Sequence, residues 1–170
     1  MKSKNHKTNR NGSLLKNSFV IVLASVVIVA AVVLLTRNGQ DPSRTGASDD
    51  IVIVKDTITD TVQFIPVKVG KTNLEVMAVK AGDGTIRTAF NTCQVCNGSP
   101  RAYYKQEGDT VVCQNCGNRF NMDMIEVQRG GCNPIPIMPG EKIDNGDTIT
   151  IPGDFIAKNS SLFTSNWKTQ

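Results

Sequence analysis

The sequence predicts a mainly β fold, a small ribbon-like four-cysteine domain on a β-rich core, preceded by one N-terminal transmembrane helix. Three observations carry this. An uncharged, largely apolar run of eighteen residues lies near the N-terminus, and short segments rich in Val, Ile, Thr and Phe follow it, separated by turn residues. Two Cys-x-x-Cys pairs, Cys93/Cys96 and Cys113/Cys116, stand sixteen residues apart.

The apolar run, Phe19 to Thr36, reads FVIVLASVVIVAAVVLLT. At a helical rise of 1.5 Å per residue it spans about 27 Å, close to the thickness of a hydrocarbon core. Residues 1–18 carry Lys2, Lys4, Lys7, Arg10 and Lys16 and no acid, whereas Asp41, Asp49 and Asp50 lie beyond the run. The positive-inside rule therefore keeps residues 1–18 as a basic cytoplasmic tail and places the rest outside. A cleaved signal peptide would end in a small-x-small site, but Ala24, Ala30 and Ala31 fall inside the run. The reading is a single-pass anchor in the cell membrane over residues 19–36, a polar linker over 37–50 and an extracytoplasmic domain over 51–170.

The net charge of +4 belongs to the tail. Residues 1–40 hold six basic and no acidic side chains, which leaves thirteen basic against fifteen acidic in the remainder. A basic isoelectric point of that origin gives no ground for nucleic-acid binding.

In the outer domain Ile51–Val54, Thr61–Val69, Leu74–Val79 and Thr85–Phe90 read as strands. Asp83-Gly84 marks a two-residue hairpin turn between the last two. Asp109–Val112 leads into the second cysteine pair, and Asp147–Ile151 follows a turn at Asn145-Gly146. No amphipathic helical period stands out beyond the anchor. Phe155, Phe163 and Trp167 are the tail residues suited to pack on a sheet.

The cysteines carry the chemistry. Each Cys-x-x-Cys puts two sulfurs on one tight turn, and two such turns facing each other complete a thiolate tetrahedron around a metal ion. Gly117 after Cys116 permits the bend that turns backbone N–H groups toward the sulfurs, and Asn97-Gly98 offers the same after Cys96. Gly108-Asp109 lets the chain between the pairs fold back as a hairpin. The spacing specifies a metal site without specifying the metal, so iron and zinc both qualify.

Other chemistries fit less well. Two disulfides are the ordinary state of cysteines outside a cell, but Cys-x-x-Cys rings are tight. A thioredoxin-like pair needs a helix start, whereas Cys96 is followed by Asn97-Gly98-Ser99-Pro100, which is turn chemistry. Haem attachment needs a histidine directly after the second cysteine. The only histidine is His6, in the tail, so the outer domain has no imidazole for a Cys₂His₂ zinc site, a Rieske centre or a catalytic triad. The domain reads as a metal-binding or electron-transfer protein more than a catalyst.

Cys132, in Arg129-Gly130-Gly131-Cys132-Asn133-Pro134, is a fifth candidate ligand on a sharply bent loop. Met122, Met124 and Met138 are thioethers suited to join it in holding Cu(I), although such spacing is commonly core packing. Asp123, Glu126, Asp144 and Asp147 read as solvated loop and strand positions.

The run Thr88-Ala89-Phe90-Asn91-Thr92-Cys93-Gln94-Val95-Cys96, followed by Tyr104, Val112-Cys113-Gln114-Asn115-Cys116-Gly117, Phe120 and Gly130-Gly131-Cys132-Asn133-Pro134, resembles the FtrD-like membrane iron–sulfur family. The resemblance covers roughly residues 60–140 and includes all five cysteines. It implies a membrane-attached iron or iron–sulfur centre associated with an iron uptake transporter or permease, passing electrons or handling the metal. By position, Cys93, Cys96, Cys113 and Cys116 would be the ligands and Cys132 the family's fifth cysteine. The alternative of a different class is a structural zinc ribbon in a binding or scaffold module. Thiol–disulfide exchange is a third reading.

Overall fold

The computed structural model describes residues 48–168. The basic tail, the predicted anchor and most of the linker lie outside the described residues. Among those described, no helix is long and apolar enough to cross a membrane.

Among the described residues, ten strands form three sheets. The central sheet runs in the order β2 (Gln63–Val69), β3 (Thr72–Lys80), β4 (Ile86–Cys93), β8 (Pro134–Pro136), with every neighbour antiparallel. Side chains alternate across a strand, so a sheet covered on both faces needs apolar residues at successive positions. That is the pattern in β3, where Val76, Met77, Ala78 and Val79 are all fully buried. Leu74, Val76 and Ala78 join Phe90 in one core, while Met77 and Val79 join Ala89 and Cys93 in a second.

The first core is closed by β1 (Ile51–Val54) and β10 (Thr148–Ile151), which pair with β9 (Ile143–Asp144) in a second sheet. Ile51, Ile53, Ile149 and Ile151 point inward and meet the C-terminal segment. The predicted aromatic residues do pack there. Phe90 lies against Phe155 and Phe163, with ring centroids 5.8 and 6.0 Å apart, and Phe163 meets the Trp167 ring edge-on at 5.1 Å.

Phe155 sits on a helix the sequence did not signal, α1 (Gly153–Lys158). Six residues are too few to display a helical period. Its first residue is fixed by a close approach. A Cβ on Gly153 would lie 1.8 Å from the Ser48 carbonyl oxygen. The Ser48 hydroxyl donates to the Gly153 carbonyl and the Gly153 N–H donates to Asp50, which docks the end of the linker onto the domain. Gly153→Ala should displace that segment and lower stability by about 1–3 kcal/mol, measured by thermal unfolding.

The second core is closed by β5 (Tyr104–Glu107), β6 (Thr110–Cys113) and β7 (Arg119–Asn121). The Gly108-Asp109 turn joins β5 to β6, pairing Glu107 with Thr110 as the hairpin reading required. Asn91 fastens this sheet to the central one: its side chain accepts from the Tyr104 N–H at 2.7 Å and donates to Glu75 at 2.8 Å.

The β3–β4 hairpin turn is one residue longer than the two-residue form expected at Asp83-Gly84. Ala81 and Thr85 bond across it, and Gly84 takes the left-handed φ of +83° that such a turn needs. Asp83 accepts from the Thr85 hydroxyl at 2.6 Å and the Thr85 N–H at 3.0 Å, and it pairs with Arg87. The Thr85 bonds, with Arg87, lower its pKa from 3.8 to about 2. Because the folded value is depressed, this support for the turn is complete above pH 3.8 and is lost as pH falls through about 2. A carboxyl NMR titration of Asp83 should show a midpoint near the lower value, and an ordinary midpoint would show that the turn contacts do not hold.

Candidate metal centre

Three segments deliver five thiols to one end of the second core. Cys93 ends β4, where its N–H donates to the Ala102 carbonyl and the chain turns so that Ser99 N–H reaches the Cys96 carbonyl at 2.8 Å. Cys113 ends β6, and the Gly117 N–H closes the second turn onto its carbonyl at 2.8 Å. Gly117 has φ of +73°, the left-handed bend expected after a knuckle. A bond from the Ser99 hydroxyl to the Asn115 side chain at 2.7 Å links the two turns.

Cys132 arrives from the long loop before β8. Gly130 and Gly131 both take positive φ, +92° and +85°. The loop is tied to both knuckles: Gly130 N–H donates to the Gln94 side chain, Gln94 N–H donates to the Asn133 carbonyl, and the Asn118 side chain donates to the Cys132 carbonyl at 2.8 Å.

The sulfurs of Cys93, Cys96, Cys116 and Cys132 all lie within 4.8 Å of one another. Cys113 stands outside that tight group, on the same knuckle as Cys116. All five thiols are free. Cys93 and Cys113 are fully buried, Cys96 and Cys132 are half-buried, and Cys116 is exposed.

The environment splits the thiols. Burial works against the Cys93 thiolate, but the Tyr104 hydroxyl and the N–H groups of Cys96 and Val95 outweigh it and lower its pKa. The Asn118 N–H lowers that of Cys116 despite some burial. Burial raises Cys96, and it pushes Cys113 up to about 12 against the N–H groups of Cys116 and Asn115. The neighbouring Cys116 thiol, followed by burial, raises Cys132 to about 11. One thiol of each knuckle is thus the readier to ionise, and both knuckles present N–H groups to sulfur. Such donors stabilise thiolate charge and suit a cation held by sulfur alone.

Tyr104 stands beneath this cluster. It lies opposite Cys113 in the β5–β6 ladder and is 1% exposed. Its hydroxyl makes no hydrogen bond of full geometry, yet it faces the Cys93 sulfur closely enough to depress that thiol. With a metal thiolate in place, the sulfur becomes the acceptor this hydroxyl lacks.

The methionines go to different settings. Met122 is buried in the second core, Met124 is 37% exposed, and Met138 lines a cavity with Arg87, Glu126 and Lys142.

Glu126 corrects the reading of a solvated loop position. It is held at φ of +65°, and its carboxylate accepts from the Thr88 N–H, the Thr88 hydroxyl and the Lys142 ammonium. Side-chain exposures are 12% for Glu126 and 6% for Lys142. With Arg87 donating to the Ile125 carbonyl at 3.0 Å, the pair clamps the start of the loop that carries Cys132. Asp123 likewise has a structural task, accepting from the Gly82 N–H at 2.7 Å. No spacing or motif announces these contacts, because Thr88 and Lys142 lie 38 and 16 residues from Glu126, and Gly82 lies 41 residues from Asp123.

Fold and site together define a mainly β protein with a cluster of free thiols whose spacing could hold a metal ion. The family described as membrane iron-sulfur containing protein FtrD-like matches residues 54–163, well over half of the chain, and the chain belongs to it. No match to the chain is found among the curated proteins or the solved structures.

Proposed function

We propose that this is a membrane-anchored, extracytoplasmic iron–thiolate protein that serves an iron uptake transporter as a redox or metal-transfer partner. The observation that carries the reading is the convergence of three segments on one cluster of free thiols with N–H groups directed at the sulfurs. An iron ion in such a site supplies a one-electron couple. The chain supplies the rest: thiolates fix the coordination, N–H donors and the Tyr104 hydroxyl withdraw charge from sulfur, and burial of Cys93 and Cys113 keeps water from one side.

Four sulfurs bound to one ion at about 2.3 Å stand about 3.8 Å apart. Sulfurs already within 4.8 Å need only a small contraction to reach that spacing. A multi-iron cluster sets iron and sulfide between its thiolates and spreads them wider, so the spacing favours a single ion. The same observation favours zinc as a second reading, in which the metal holds the fold and function lies on the surface.

The test is a redox titration of the full chain purified without oxygen. Visible bands should bleach on reduction and return on oxidation, and a protein without a reversible change would sink the redox reading. In that experiment Tyr104→Phe should lower the midpoint potential by roughly tens of millivolts, because losing a donor to sulfur favours the oxidised ion. An unchanged midpoint would show that the hydroxyl does not act on the centre.

A further inference from the structure

The cluster holds one thiol more than a four-coordinate ion uses. Cys93, Cys96 and Cys116 are common to the tight group and to the quartet made by the two Cys-x-x-Cys pairs. The fourth place has two claimants of opposite character. Cys113 lies at the end of β6, fully buried, at the base of its knuckle, with the Asn115 and Cys116 N–H groups directed at its sulfur. Cys132 is half-buried on a loop whose two preceding glycines take left-handed φ, yet its sulfur is already in the tight group. It shares the accessible side of the cluster with exposed Cys116.

We propose that Cys113 and Cys132 exchange in the fourth position, giving a deep quartet with Cys113 and a shallow quartet with Cys132 from which the ion is handed on. This rests on the reading of a thiolate centre and makes it a transfer site. In the exchange the Cys132 thiol loses its proton and forms one metal–sulfur bond, the bond to Cys113 breaks, and the Cys113 thiolate takes up a proton. The oxidation state does not change, and no outside reactant is needed. Three fixed thiolates hold the ion throughout, so no step leaves it with fewer than three sulfurs. The glycine pair lets the loop carry Cys132 inward or outward, while the bonds from Asn118 and to Gln94 keep it within reach.

The experiment uses the full chain in detergent, without oxygen, with cobalt(II) as the probe, since its sulfur-to-metal absorption counts thiolates. Cys113→Ser and Cys132→Ser should each keep a four-thiolate spectrum, and the double variant should fall to three. Cys132→Ser, which retains the deep quartet, should also release the ion to a chelator slower by about tenfold or more. Exchange is overturned if one single variant drops to three thiolates while the other is unchanged. It is equally overturned if Cys132→Ser releases cobalt at the wild-type rate, a readout that stands even where Cys113→Ser fails to fold. Wild-type protein without sulfur-to-cobalt bands would instead remove the thiolate centre itself.

Discussion

Cys93→Ser is expected to weaken metal binding and to loosen the second core in one step. The residue is common to both quartets, fully buried, and the target of the Tyr104 hydroxyl and two backbone N–H groups. Structural four-ligand sites bind with about 10–16 kcal/mol, so one ligand accounts for about 3 kcal/mol, roughly a hundredfold in affinity. A serine hydroxyl is a poor substitute, because it stays protonated near neutral pH and its oxygen falls short of the sulfur position. Because metal binding and folding are coupled in such sites, the lost affinity appears as lost stability. Metal content and thermal unfolding of the variant, beside Cys116→Ser, check this. Exposed Cys116 should lose affinity while disturbing the core less, and equal destabilisation by both would contradict the assignment of Cys93 to the packed base.

Glu126→Gln is the largest expected effect away from the thiols. It leaves the Lys142 ammonium, 6% exposed, without its counter-charge and weakens the acceptor for the Thr88 N–H. Breaking a buried pair from one side costs about 3–5 kcal/mol. Adding Lys142→Met should recover most of the loss, since removing both charges also removes the desolvation penalty. The loop to Cys132 starts at this clamp, so the single variant should also raise the reactivity of Cys132 toward an alkylating reagent. Denaturant unfolding of the three variants decides it, and a Glu126→Gln stability within about 1 kcal/mol of wild type would show that the pair is not carrying the loop.

These contacts show where sequence reasoning succeeds and where it stops. β1, β2, β3, β4, β6 and β10 were legible because β-branched residues recur in short runs between turn residues. The knuckles and the hairpin between them were legible in outline, since Cys-x-x-Cys, Gly117 and Gly108-Asp109 act over a few residues. β5 reads Tyr-Lys-Gln-Glu and has little apolar pattern, because one of its faces is in water. β8 is Pro-Ile-Pro, which argues against a strand until its place at the sheet edge is known, where a missing N–H costs nothing. Its bonds to β4 bring Asn133 and Cys132 to the first knuckle across about forty residues of chain, and no local signal encodes that return. Glu126 was illegible for the same reason: a carboxylate in a Gly-rich loop looks solvated until Lys142 and Thr88 are seen around it.

The most direct measurement is metal content with a visible absorption spectrum on the full chain purified without oxygen. The account predicts one iron per chain, no acid-labile sulfide, and absorption from thiolate-to-iron charge transfer. Colourless protein carrying one zinc, or protein that retains no metal, would contradict an iron–thiolate centre.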